Sequence, residues 1–394
     1  MPAGEQICME KTIKIILMIL CILAAPAAGY VIYLLLTYKR VGDVPLAVER
    51  KAGTDAVHVG QAYTVTSYNV GFGAYQQDFT CVLDRYYVRK KNRWKKIRGK
   101  NLKAFSGRDA QRNTNGAAGV IAGLHPDFAL FQEADLDSDR CYHVNQIETF
   151  QRALPGTCSV YCTNIHNPFL CYPLNDMMGR AEGGILSLSS VRIQKADRYE
   201  LAVMDGLVER YFDLDRCFSA AYLNVDNGRQ LVLINLHMSY YDKGGAVRIR
   251  QRKKLYGLIE KERKKGNYVI AGGDFNQDLL VDNPDYPQYT RDNRPFISKA
   301  AEKQPDEVVF FFDEASGAGL PKGFRVVASD NFPTCRPAAV AWKPGISHCC
   351  VFDGFIVSDN VEVLEHRNIV TATDAMEGFA FSDHEPVWME FSLK

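Results

Sequence analysis

The run Tyr268-Val269-Ile270-Ala271-Gly272-Gly273-Asp274-Phe275-Asn276 sets four apolar residues directly ahead of two glycines, a carboxylate and a carboxamide. Its first half has the length and branching of a buried strand. The glycines permit close approach of a ligand, and Asp274 with Asn276 forms an oxygen-rich ledge suited to a hard cation or a phosphate. Taken alone, Gly-Gly-Asp-x-Asn is also ordinary turn chemistry at a strand end. The rest of the chain decides between the two.

Other strand-like runs also end in residues fit for the same chemistry. Tyr63-Thr64-Val65-Thr66-Ser67-Tyr68 leads into Asn69 and then Val70-Gly71-Phe72-Gly73. Phe128-Ala129-Leu130-Phe131-Gln132 leads into Glu133, and Leu231-Val232-Leu233-Ile234-Asn235-Leu236 leads into His237. Further on, the apolar run Cys350 to Val357 carries Asp353, and Phe381 to Pro386 puts Asp383 beside His384. Ligands of open α/β sheets gather beyond the strand ends, so these side chains are expected to converge.

The ordered series Asn, Glu, His, Asp-x-Asn, Asp and Asp-His resembles the endonuclease/exonuclease/phosphatase family of DNase I-like, divalent-metal phosphohydrolases, over roughly Val59 to Lys394. A membrane-anchored member of bacterial type is expected. The resemblance implies an α/β (α+β) fold: a four-layer α/β/β/α sandwich with two mixed sheets face to face between outer helices, preceded by an N-terminal transmembrane helix. It also implies Mg (or Mn) as cofactor, with Asn69, Glu133 and Asp383 at the metal. His384 would be the general base, oriented by Asp353 in the manner of an Asp-His pair. His237 would hydrogen-bond the scissile phosphate and Asn276 would orient one of its oxygens. Asp274 would either support this or position the attacking water. Read by itself, His237 is a core histidine; its place between two site motifs reverses that reading.

Some features depart from the family pattern. Many family nucleases carry an Arg soon after the metal-binding Glu, whereas this chain reads Glu133-Ala134-Asp135-Leu136-Asp137-Ser138-Asp139-Arg140. An active-site tyrosine of some branches has no unmistakable counterpart among Tyr172, Tyr240 and Tyr241. The later phosphoinositide-phosphatase signature is not reproduced by Val351-Phe352-Asp353-Gly354, which disfavours a phosphomonoesterase of that type. The expected activity is hydrolysis of a phosphate ester, in nucleic acid or phospholipid. A silent binding module on the same fold would have lost Glu133, Asp274 or His384, and all are present. A serine hydrolase lacks its Gly-x-Ser-x-Gly elbow.

Residues 15–38 carry no charge and exceed the ~20 residues that cross a bilayer as a helix. A cleaved signal peptide competes, because Lys11 and Lys14 precede the run and Ala24-Ala25-Pro26-Ala27-Ala28 offers small residues. The apolar stretch continues past that point, which favours an uncleaved anchor. The organisation expected is a short tail (1–14), a transmembrane helix (15–38), a linker (39–58) and the catalytic domain (59–394). Basic residues flank the span on both sides, so charge counting nearly balances. The arrangement expected is a single-pass protein with its catalytic domain extracytoplasmic.

The net charge of +1 gives no general attraction for polyanions, and 47% hydrophobic with 24% charged residues is an ordinary globular mixture. Arg89 through Lys100 is densely basic and lies between the first two site strands, where a loop could overhang the cleft. It reads as a solvated loop, a lipid-headgroup contact or a nucleic-acid contact. Arg248 through Lys265, with Leu255, Leu258 and Ile259 at helical spacing, predicts an amphipathic helix whose charges need no ligand. A second helix is expected over Asn113 to Leu124, and an irregular segment able to shape the pocket over Gln277 to Pro305. Eleven cysteines leave an odd number beyond the span. Cys158, Cys162 and Cys171 cluster in a loop-like region, as a disulfide of an exported domain or as buried thiols. Nothing calls for an obligate protein partner, and a monomer is expected.

Overall fold

The computed structural model describes residues 3–394 except 50–52, 91–92, 175, 205, 207–213, 241, 243–244, 297–308 and 313–318. The chain forms two compact units, Met1–Arg40 and Val41–Lys394. The first is one helix, α1 (Ala3–Thr37), whose stretch Lys11–Thr37 is long and apolar enough to cross a membrane.

The second unit contains, in order, β1 (Val44–Leu46), β2 (Ala62–Asn69), β3 (Arg85–Lys90), β4 (Arg93–Arg98), α2 (Gly107–Gly123), β5 (Phe128–Ser138), α3 (Gln146–Ala153), β6 (Cys158–Leu170), β7 (Gly179–Ser189) and β8 (Ile193–Glu200). There follow β9 (Cys217–Asn224), β10 (Gln230–His237), α4 (Ala246–Lys264), β11 (Tyr268–Asp274), β12 (Phe324–Val327), β13 (Asp353–Ser358), β14 (Val361–Asn368) and β15 (Val387–Leu393). A seven-stranded sheet has the order β1-β8-β9-β10-β11-β13-β12, and a six-stranded sheet the order β14-β15-β2-β5-β7-β6. Each sheet holds one parallel pair, β10 with β11 and β2 with β5, inside an otherwise antiparallel ladder.

Alternation along the strands builds the layers. Leu231, Leu233 and Ile270 of the larger sheet share one buried cluster with Val65, Phe128, Leu130 and Met389 of the smaller, so the sheets pack face to face. The intervening residues Val232, Ile234, Val269 and Ala271 face outward onto Leu255 and Ile259 of α4. On the opposite side Tyr68, Ala129 and Phe131 meet Ala117 and Ile121 of α2 and Ile147 and Phe150 of α3. The result is the four-layer α/β/β/α sandwich that the sequence predicts.

Several local expectations need correction. Helix α2 begins at Gly107, earlier than Asn113, because the Ser106 side chain caps it by accepting from the Asp109 N–H at 3.1 Å. The basic run of 89–100 is not an open loop: its strands pair as the β3–β4 hairpin. In the expected linker, Val44–Leu46 pairs with β8 and Val57 is fully buried, so residues 41–58 belong to the compact unit. Cys158 and Cys162 lie in β6 rather than in a loop. Among the described residues of 277–305, Leu279 and Leu280 enter the outer core and none lines the cleft. Helix α4 buries Leu255, Leu258 and Ile259 as expected, yet also Arg248 and Arg252, the latter stacked 4.4 Å over the Phe311 ring.

Candidate active site

Both parallel pairs end at the same edge of the sandwich. Asn69 closes β2, His237 closes β10 and Asp274 closes β11, while Asp353 opens β13 directly opposite Asp274 in the ladder. Glu133 sits where the pairing of β5 with β7 slips between Phe131 and Ala134, and its φ of +51° turns its carboxylate out of the ladder. Gly273 has no room for a side chain: at φ +148°, a Cβ there would lie 2.0 Å from the Leu236 carbonyl oxygen. That close approach brings β10 and β11 together just before His237 and Asp274.

Six of the eight expected residues, Glu133, His237, Asp274, Asn276, Asp383 and His384, line one cavity of ≈ 490 Å³. Asn69 and Asp353 stand behind them. Asp353 Oδ2 lies 2.8 Å from His384 Nδ1, which leaves Nε2 of that ring 3.6 Å from Asp274 Oδ2. The same Asp274 oxygen lies 3.5 Å from His237 Nε2 and accepts from Asn69 Nδ2 at 3.0 Å and Asn276 Nδ2 at 3.2 Å. Asn69 Nδ2 also donates to Glu133 Oε1 at 3.3 Å, and that oxygen is 3.9 Å from His237 Nε2. Asp274 is therefore the hub of the cluster.

Burial and neighbouring charge set the protonation of these groups. Burial pushes the Asp274 carboxyl up to about 6, against the opposing charge of His384. His237 is held well below the ordinary imidazole value, first by burial and then by Arg216, His384 and Arg140, so it is neutral. Its Nδ1 is buried without a hydrogen-bond partner. Burial alone would depress His384 too, but Asp353, Cys335 and Asp274 hold it well above the usual value. Asp383 is pushed up to about 7, chiefly by burial, with Glu133 and Asp84 raising it further and His384 and Arg336 opposing.

Two sets of donors could hold a cation. Asp274, Asp353 and His384 offer ligand atoms within 4.8 Å of one another, but Asp353 and His384 are already joined by their short hydrogen bond. Glu133 and Asp383 offer only carboxylate oxygen, the donor type of magnesium and manganese, whereas the expected third member, Asn69, turns its Nδ2 to Glu133 and gives its Oδ1 to the Gly71 N–H, so it positions Glu133. Asp383 there is buried beside a second carboxylate that opposes its ionisation, a conflict that a divalent cation relieves. The second set therefore fits Mg or Mn.

The structure adds residues that the motifs did not single out. Arg140 lines the cavity 4.0 Å over the Phe72 ring, and Asp135 fixes its guanidinium by two contacts of 2.8 Å. The turn Asp139–Cys141, directly after β5, places it on the wall. Arg216 and Arg336 also reach the wall; Arg336 spends its Nη atoms on the carbonyls of Tyr75, Gln76, Pro337 and Val340. Of the tyrosines considered, Tyr240 lines the cavity, Tyr172 is exposed away from it and Tyr241 lies outside the described residues. Tyr75 lines it as well, without a distinctive sequence signal.

No family model and no curated protein matches the sequence. Among solved structures, an endonuclease/exonuclease/phosphatase protein from Beutenbergia cavernae superposes with a TM-score of 0.51 at 14% identity, covering 84% of this chain and 72% of its own. TDP2 from Caenorhabditis elegans gives 0.48 at 15% identity, covering 85% and 75%. The mannosyl-6-phosphatase Bt3783 of Bacteroides thetaiotaomicron gives 0.47 at 17% identity, covering 84% and 99%. The chain has the fold of the endonuclease/exonuclease/phosphatase proteins.

Proposed function

We propose that this chain is a membrane-anchored, Mg- or Mn-dependent phosphohydrolase that cleaves a phosphate ester by attack of water. The observation that carries the reading is the convergence of Glu133, Asp383, His237, Asp274, Asn276 and His384 on one cavity, with Asp353 hydrogen-bonded behind His384. Glu133 and Asp383 would hold the cation, with Asn69 positioning the Glu133 carboxylate; when bound, the cation would supply charge neutralisation for the phosphoryl oxygens and the leaving alkoxide. His384 accepts the proton of the attacking water at Nε2 while Asp353 fixes the ring through Nδ1. Neutral His237 and Asn276 bind the non-bridging oxygens, and Asp274 orients both imidazoles and the water. Arg140, held in place by Asp135, adds fixed positive charge to the wall.

Between the two substrate classes, the reading favours a diester of phospholipid type. Phe72, Leu83, Leu102, Met178 and Phe352 make much of the wall apolar beside the charged floor, and an apolar helix precedes the unit. In this reading the chain is a single-pass membrane monomer whose compact unit, residues 41–394, is the catalytic domain and lies on the extracytoplasmic side. The test is a panel of DNA, RNA, phospholipid diesters, phosphoinositides and simple monoesters, assayed with magnesium and then with chelator. Chelator-sensitive hydrolysis of the phospholipid diesters is expected; activity indifferent to chelation would remove the metal from the mechanism, and preference for DNA or RNA would overturn the lipid assignment.

A further inference from the structure

Cys162 and Cys217 lie on different sheets, yet their sulfur atoms approach to 3.5 Å in the interior of the sandwich. Cys162 is on β6, the edge of the six-stranded sheet, and Cys217 opens β9 of the seven-stranded one. Both are 0% exposed, packed with Ile185 and the half-buried Leu46. A disulfide needs the sulfurs at about 2.05 Å, so the gap closes by about 1.5 Å, within reach of side-chain rotation. The Cys217 thiol also reaches the carbonyl of Thr163 at 3.8 Å, as Cys141 and Cys349 reach backbone carbonyls elsewhere, so what sets the pair apart is its sulfur–sulfur approach.

The surroundings polarise the pair. Arg198, 1% exposed, donates from Nε to the carbonyl of Thr163, next to Cys162, and from Nη2 to Asp215, two residues before Cys217. Its guanidinium thus stands between the two strands that carry the sulfurs. Burial pushes both thiols up; at Cys217 the hydrogen bond with Cys162 and the Arg198 charge outweigh it and leave that thiol lowered, whereas Cys162 stays raised.

We propose that Cys162 and Cys217 form a disulfide that staples the two sheets at the level of the active-site cluster. The ladder carries the position across each sheet: Cys162 pairs with Ile185, whose neighbour Gly184 pairs with Ala134 beside Glu133, and Phe218 next to Cys217 pairs with Leu236 beside His237. The cross-link fixes the separation of Glu133 and His237, which come from opposite sheets. Because both sulfurs are sealed from solvent, the bond forms before the sheets close, during folding in an oxidising compartment. A disulfide carrier, either a small molecule or a dithiol oxidase, is the oxidant. The thiolate of one of the two cysteines attacks one carrier sulfur and expels the other as a thiolate, which takes up a proton. The second cysteine, losing its proton, then attacks the sulfur of the first and expels the remaining carrier sulfur as a thiolate, which takes up that proton. Two protein thiols are oxidised and one carrier disulfide is reduced to two thiols.

The test uses the full chain, extracted from membranes without reductant into denaturant containing N-ethylmaleimide, digested and analysed by mass spectrometry. The expected result is a cross-linked peptide joining Cys162 and Cys217, two hydrogens lighter than the sum of its parts and lost on prior reduction. Recovery of both cysteines as maleimide adducts overturns the proposal, and needs no variant to fold. As a second readout, reductant is expected to lower the thermal midpoint of the wild type but not that of the Cys162→Ala/Cys217→Ala variant. An equal response of the two proteins to reductant counts against the staple.

Discussion

At the scale of single residues, the reading concentrates on one pair. As the proposed general base, His384 would act from the unprotonated ring, so the rate is expected to rise as pH passes upward through its pKa. Replacing His384 with Ala is expected to cut turnover ~100- to 10,000-fold, the usual worth of a positioned acid or base, with the far-ultraviolet spectrum unchanged. Asp353→Asn removes the nearest charge that raises His384. Its turnover is expected to fall, and the acid limb of its pH–rate profile to move to lower pH. A limb that stays in place in the Asn variant would mean that another group titrates there. That the eight expected residues lie close together was legible because most of them stand at or just past the end of a strand-like run, where the ends of neighbouring strands meet. Arg140 and Arg216 were not legible in the same way. Their positions depend on a short turn and on ion pairs and carbonyl contacts that link distant segments, and no local spacing encodes those.

At the scale of elements, the strands that carry the site were readable as apolar runs, whereas the parallel pairing of β2 with β5 and of β10 with β11 is a finding of the structure. The boundaries of α2 were misjudged because apolar spacing was weighed above the Ser106 cap, whose contribution of about 1 kcal/mol is nevertheless enough to set a helix start. The β3–β4 hairpin escaped because its basic composition resembles a solvated loop; cross-strand pairing, as of Tyr86 with Ile97, is invisible to a charge count. The element on which the site depends most is the β10–β11 joint. Gly273→Ala puts a Cβ against the Leu236 carbonyl in a backbone conformation that L side chains rarely adopt. It is expected to cost on the order of 3 kcal/mol or more, measured by chemical denaturation. An unchanged midpoint would show that the joint is looser than its geometry implies.

At the scale of the whole molecule, the chain joins an apolar helix to a unit with its own core. The layered architecture was expected from the family resemblance and not from periodicity, while the pairing of Val44–Leu46 with β8 was not foreseen, because the partners lie more than a hundred residues away. Residues 41–394 are expected to be soluble and monomeric in gel filtration with the chelator-sensitive activity intact, whereas the full chain sediments with membranes until detergent is added. Protease applied to intact cells is expected to remove the domain from the full chain. A protected domain would reverse the orientation proposed here.

The convergence of two sheets on one cation is best examined by the magnesium dependence of phosphodiester turnover in the wild type and in Glu133→Gln, a change that keeps side-chain size and removes one charge. A right-shifted magnesium requirement, with activity falling at least about tenfold at limiting metal, is the result that follows from Glu133 as a ligand. Superimposable magnesium curves at full activity in both proteins would contradict it.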